Sequence, residues 1–202
     1  MKLFPLPVLL LAATLGIAAC GGGESDEDQI VSTIETTYVK TDPRSCRELM
    51  TPGFAEQTFR VEGAEAVRFC ESNARAEESD NPPVEVSNVK VEGSKATAEI
   101  TTTGGEITGQ TVVAALVEED GGWKLDELVR FSKFDPKQVV KGMVEGLEKG
   151  GETQVEPRVV DCLHRVYSKM SRVELEDLFL GGSSQTEAEI FKSCDREGSG
   201  GG

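Results

Sequence analysis

The sequence predicts an α+β fold in which N-terminal helices pack on a curved four-stranded antiparallel sheet, followed by a small all-helical unit. Three observations carry this expectation. Apolar residues recur at helical spacing as far as Asn81-Pro82-Pro83, where the period changes to strand-like alternation. Three glycine-bearing turns, at Glu92-Gly93, Gly104-Gly105 and Asp120-Gly121-Gly122, then divide the following stretch into four runs. Past Phe134 the helical period returns.

In order along the chain, Ile30, Val31, Ile34 and Tyr38 mark a first helix, with Ser25 and Asp28 as its start signal and Asp42-Pro43 as its stop. Ser45-Cys46-Arg47-Glu48 has capping-box spacing and opens a short second helix through Met50, ended by Thr51-Pro52-Gly53. Phe54 and Phe59 read as core anchors of an irregular or short helical segment. A third helix is predicted near Gly63 to Ala76, with Ala66, Val67, Phe69 and Cys70 on one side. Val84 and Val86 then alternate with Glu85 and Ser87, whereas Val89 and Val91 continue on the opposite parity. That change predicts a bulge near Asn88. Ala96, Ala98 and Ile100 alternate in the second strand, and Gly104-Gly105 predicts a tight hairpin into the third. Thr111 to Val117 is nearly continuously apolar, which predicts a central strand covered on both faces. Trp123 to Val129 completes the meander.

Asp135-Pro136 supplies a cap and a first-turn proline for a helix carrying Val139, Val140, Met143, Val144 and Leu147. Its Gly142 and Gly146 form a GxxxG, which outside a membrane-length apolar run implies at most a close helix contact or a flexible helix. Three short helices are predicted beyond a linker at Thr153 to Pro157. The second opens on a Ser171-Arg172-Val173-Glu174 capping box and the third on Thr186-Glu187-Ala188-Glu189. The resulting organisation is a leader at 1–19, a tether at 20–28, an α+β domain at 29–134, a connecting helix at 135–151, a helical unit at 152–195 and a disordered tail at 196–202.

The chain carries 21 Lys and Arg against 36 Asp and Glu, a formal charge of −15. Such a balance opposes nucleic acid, whose binding rests on cations neutralising phosphates, so nucleic acid is excluded as a partner. Beyond Cys20 there remain four cysteines. Three pairings are open in principle, but the residues fall into two sequence-local pairs, which favours disulfides Cys46–Cys70 and Cys162–Cys194. Metal binding fails on ligand supply, with one histidine and no Cys-x-x-Cys. No metal and no cofactor are expected.

Leu15-Gly16-Ile17-Ala18-Ala19-Cys20 follows one cation, Lys2, and an apolar run broken by Pro5 and Pro7, too short for a membrane-spanning helix. This stretch resembles the lipobox at which bacterial lipoprotein signal peptides are cleaved. The resemblance implies a mature chain that begins at Cys20, is acylated there and is anchored outside the cell membrane by lipid. The glycine-rich, acidic residues 21–28 suit a tether, and a diacylglyceryl group is enough for stable anchoring.

Cys46-Arg47-Glu48-Leu49-Met50-Thr51-Pro52-Gly53-Phe54 and Asp120-Gly121-Gly122-Trp123-Lys124-Leu125, together with the order of elements, make residues 26–134 similar to the nuclear-transport-factor-2-like fold of small bacterial lipoproteins. That resemblance implies a cone of three helices on a strongly bent sheet, with homodimerisation through the sheet common in the family. Some relatives are dehydratases or isomerases that use an aspartate with histidine or tyrosine. Residues 29–134 hold no histidine, and Tyr38 falls on an apolar stripe. Asp42, Asp126 and Glu127 stand at element ends or on a polar face. His164, beside Cys162, reads as a surface residue whose neighbouring thiol is spoken for by Cys194. No catalytic residue is therefore assigned. Two functions remain: the favoured one, a non-catalytic accessory module whose sheet face meets an envelope partner, and the alternative, a small-molecule binder, or behind it a dehydratase- or isomerase-like enzyme, that uses the mouth of the cone. An apolar cavity of several hundred Å3 with one convergent carboxylate favours the second, and a cone plugged by Phe54, Phe59, Phe69 and Trp123 excludes it.

Overall fold

The computed structural model describes residues 24–39, 42–74, 82–149, 155–181 and 184–199. Within them the fold is α+β, with four helices, an antiparallel sheet and four further helices in chain order. The lipobox, with Cys20, lies outside the described residues.

Helix α1 (Asp26–Val39) begins inside the segment read as tether, because Ser25 caps it. The Asp28 amide donates to Ser25 Oγ at 3.2 Å, and the hydroxyl donates to the Asp28 carboxylate at 2.6 Å. Ile30 and Ile34 drive the helix onto the sheet. Helix α2 (Ser45–Glu48) is shorter than expected, and Ser45 is buried within it rather than capping it. The Thr51-Pro52-Gly53 signal starts a helix here instead of only ending one. Thr51 accepts from the Phe54 amide and Pro52 takes the first turn of α3 (Pro52–Phe59), whose missing donor is harmless there. Helix α4 (Ala64–Asn73) follows, so the segment of Phe54 and Phe59, read as irregular or short helical, is a helix of its own and four helices precede the sheet.

Strands β1 (Val84–Glu92), β2 (Lys95–Thr102), β3 (Thr111–Glu119) and β4 (Gly122–Lys133) form a meander in the order β1-β2-β3-β4. The bulge predicted near Asn88 is present: the β1–β2 register shifts between Ser87 and Lys90, and Asn88 has φ of 52°. Three further register shifts between β3 and β4 bend the sheet. The β2–β3 connection is no tight hairpin. Residues 103–110 form a longer loop, closed by the Gly109 amide donating to the Thr102 carbonyl at 2.8 Å. It is anchored by Gln110, buried to 1% exposure, whose Oε1 accepts from the Asp135 amide at 2.6 Å.

Nor is β3 covered on both faces. Val112, Ala114 and Leu116 point into the core, while Val113, Ala115 and Val117 keep partial exposure on an outer face that no helix among the described residues covers. Their register neighbours there include Lys95, Glu99, Lys124 and Arg130, whose long side chains shield an apolar stripe without burying it.

The last four helices are α5 (Pro136–Lys149), α6 (Pro157–Tyr167), α7 (Arg172–Leu180) and α8 (Ser184–Ser199), the last extending into the segment expected to be disordered. The Ser171–Glu174 capping box forms as predicted at the start of α7. These helices extend the inner layer and leave the outer sheet face open. Phe179 of α7 meets Phe131 edge-on at 6.4 Å between ring centroids, and Phe131 meets Phe134 at 4.7 Å. Val159, Leu163, Tyr167, Leu175 and Leu178 join the same buried cluster as Ile30, Ile100, Leu116 and Leu125, so one core runs through all the elements.

Candidate functional site

Both expected cysteine pairs form disulfides. Cys46–Cys70 joins α2 to α4 with Cα atoms 6.0 Å apart, and Cys162–Cys194 joins α6 to α8 at 5.5 Å. Arg47 and Glu71, one residue beyond each half-cystine of the first pair, close a second bridge between the same helices. The two ties hold α2 and α4 in place as a wall.

Behind that wall lies a cavity of about 380 Å3. Met50, Phe54 and Phe59 of the helical layer, the Cys46–Cys70 disulfide, Ile107 of the β2–β3 loop and Leu128 of β4 give it a mostly apolar lining. Thr37, Tyr38, Asp42, Ser45, Thr58 and Asn73 supply its polar atoms. Phe54 is fully buried in the wall and Phe59 lies alongside it, so neither fills the space. Phe69 is 46% exposed on the far side of α4, edge-on to Phe59 at 6.0 Å. Trp123 is buried against α1, its indole N–H donating to Asp26 at 3.4 Å and its carbonyl accepting from Thr33 at 3.3 Å. The cone is hollow.

Positioning of the cavity's outer wall depends on Gln57, a residue the periodicity gave no reason to single out. Strand β4 is an edge strand with unpaired backbone groups. At Leu125 they are met by a short parallel bridge, with the Thr51 amide donating to Leu125 O at 2.8 Å and the Leu125 amide to Leu49 O at 2.9 Å. At Leu128 the Gln57 amide takes the place of a strand: Nε2 donates to the carbonyl at 2.9 Å and Oε1 accepts from the N–H at 2.7 Å. The same Nε2 also reaches the Leu180 carbonyl at 2.6 Å, tying α7 to α3. Neighbouring Arg60, at the C-terminal end of α3, bonds the Leu178 carbonyl and Glu187 of α8.

Among the described residues the titratable groups that line the cavity are Tyr38 and Asp42. Burial of the half-exposed Tyr38, whose remaining surface faces the cavity, pushes its phenol up to about 12, so it stays protonated. Asp42 is held below the usual carboxylate value by Arg44, whose guanidinium and backbone N–H both donate to it; the closest guanidinium contact is 2.8 Å. It is ionised, paired and open to solvent, where a general base at neutral pH needs a raised pKa. The other acids weighed from the sequence, Asp126 and Glu127, lie on the outer sheet face beside Lys90 and Lys95. His164 is exposed on α6, and the Cys162 thiol beside it is consumed by Cys194. Among the described residues no cluster of three or more metal-ligating side chains occurs, and no helix is long and apolar enough to cross a membrane.

The GxxxG of α5, read from the sequence as at most a close contact or a flexible helix, is the seat of the β2–β3 loop. A Cβ on Gly142 would stand 2.1 Å from the Glu106 carbonyl oxygen, and one on Gly146 would stand 2.8 Å from the Glu106 carboxylate. The loop thus brings Ile107 to the cavity by lying on α5 where Gly142 and Gly146 leave it without side chains. Comparison with family models, curated proteins and solved structures finds no match to this chain.

Proposed function

We propose that this chain is an extracytoplasmic lipoprotein, anchored by acylated Cys20, whose nuclear-transport-factor-2-like domain binds a neutral, mainly apolar small molecule without transforming it. The observation that carries this reading is the 380 Å3 cavity, of the size and character of small-ligand sites. Among the described residues its one charged lining side chain, Asp42, is already paired with Arg44, which favours a neutral ligand. The Tyr38 hydroxyl and the Thr37, Ser45 and Thr58 hydroxyls favour a ligand with one or two polar atoms on an apolar body.

The test is a titration of the full chain with the apolar fluorophore N-phenyl-1-naphthylamine. Saturable binding is expected, and Ala74→Trp, which places an indole at a half-buried position of the lining, should weaken it by about tenfold or more with little loss of stability. Equal dye affinity in the two proteins would refute a cavity site.

A second reading draws on the outer sheet face. The C-terminal helices leave Val113, Ala115 and Val117 uncovered, which keeps that face open to an envelope protein or to a second copy of the chain.

A further inference from the structure

In a chain with 36 acidic against 21 basic residues, three cationic or protonatable side chains, Lys137, Lys141 and His164, meet beside α5, with Glu145, Glu148 and Asp161 on the adjoining surface past Lys141 and His164. Lys137 and Lys141 stand one turn apart on α5, and His164 and Ser168 one turn apart at the end of α6. They line a cleft of about 290 Å3 whose floor includes Val140, Met170 and Leu175, and among the described residues no carboxylate lines it. Among the described residues neither the Lys137 ammonium nor the His164 ring pairs with a carboxylate. Lys141 lies 3.5 Å from Glu145 in an exposed pair, of the kind an incoming anion displaces at little cost. Asp135, next to the cleft, is occupied in capping α5, its Oδ1 accepting from the Lys137 and Gln138 amides at 3.0 and 3.3 Å.

We infer that this cleft binds the phosphate monoester head of an amphiphile, with the head among Lys137, Lys141, His164 and Ser168 and the apolar stem over Val140, Met170 and Leu175. A phosphate monoester carries nearly two negative charges at neutral pH and three acceptor oxygens, which match two ammonium groups, a ring N–H and a hydroxyl. Inorganic phosphate meets the same donors, but exposed flexible cations screened by salt hold it weakly and leave the floor wet. Burying only about two methylene groups of a stem adds about tenfold in affinity. The cleft shares no lining residue with the cone cavity, so the inference stands apart from the function proposed for that cavity.

His164 is the only histidine of the chain, so its ring-proton NMR resonance reports on the cleft alone. The full chain is titrated at fixed pH and ionic strength with hexyl phosphate, inorganic phosphate and hexanol. Hexyl phosphate should displace the resonance saturably, about tenfold or more tighter than inorganic phosphate, with no saturable shift from hexanol. The double variant Lys137→Ala, Lys141→Ala should weaken hexyl phosphate by about tenfold or more, and Lys137→Gln alone by about threefold. The inference is overturned by no saturable shift with hexyl phosphate or by unchanged affinity in both lysine variants. Equal affinity for hexyl and inorganic phosphate would also overturn it, since that marks a site for the free anion.

Discussion

In the β2–β3 loop Glu106 presents its backbone to Gly142 and its carboxylate to Gly146, with Glu187, Arg60 and Tyr167 also bearing on that corner. Desolvation raises the Glu106 pKa above its ordinary 4.5, and the charge of Glu187 raises it further. A carboxyl whose pKa is raised on folding binds its proton more tightly in the folded chain. Its contribution to stability is complete below about pH 4.5 and declines as pH rises through the folded value. Glu106→Gln removes the charge but keeps the shape. The variant should unfold at higher urea than the wild type at pH 7, and the gap should close on titration toward pH 4. Glu106 keeps an exposed flank, so the effect is partial. A gap that is the same at both pH values would mean that Glu106 acts through packing and not through its charge.

At the scale of elements, the two disulfides do different work although they close loops of similar length, with sequence separations of 24 and 32. Each should contribute about 2–4 kcal/mol by restricting the unfolded chain. Only Cys46–Cys70 also lines the cavity. Cys46→Ala with Cys70→Ala should therefore lower both urea stability and affinity for the naphthylamine dye. Cys162→Ala with Cys194→Ala should lower stability alone, and equal loss of dye affinity in the two would contradict the assignment of the wall.

Elements set by local chemistry could be read in advance: the Ser25 and Ser171 caps, the Asn88 bulge, the four strands and the local cysteine pairs. What escaped depends on distant partners. Thr51-Pro52-Gly53 reads equally as a stop or a start, and burial of Phe54 and Ala55 decides for the start. Gly104-Gly105 reads as a hairpin until Gly142 offers the loop a place to lie. Gln57 carries no signal at all, because its role exists only once the edge of β4 is beside it. The cavity lining escaped for the same reason, Ile107 and Leu128 being remote from the helices they face.

Over the whole molecule, the C-terminal helices share the core of the sheet and are tied to it by polar contacts as well. Gln57 and Arg60 of the first half bond the Leu180 and Leu178 carbonyls of α7, and the Phe131–Phe179 contact spans the same junction. A unit of this size has too small a core to persist alone. Its stability must therefore come from that junction and from Cys162–Cys194, which makes the chain a single cooperative body. The single tryptophan offers a test, because Trp123 is bonded to α1 and lies outside the C-terminal helices. Leu175→Ala removes a side chain that is 1% exposed among the C-terminal helices and should lower stability by about 2–5 kcal/mol. In a cooperative chain the midpoint of urea unfolding moves by the same amount in tryptophan fluorescence and in far-ultraviolet circular dichroism. If the helical unit unfolded by itself, the tryptophan midpoint would stay at its wild-type position while the helical signal fell earlier. The shared core and the Gln57 bridge predict the first outcome, with both probes shifting together.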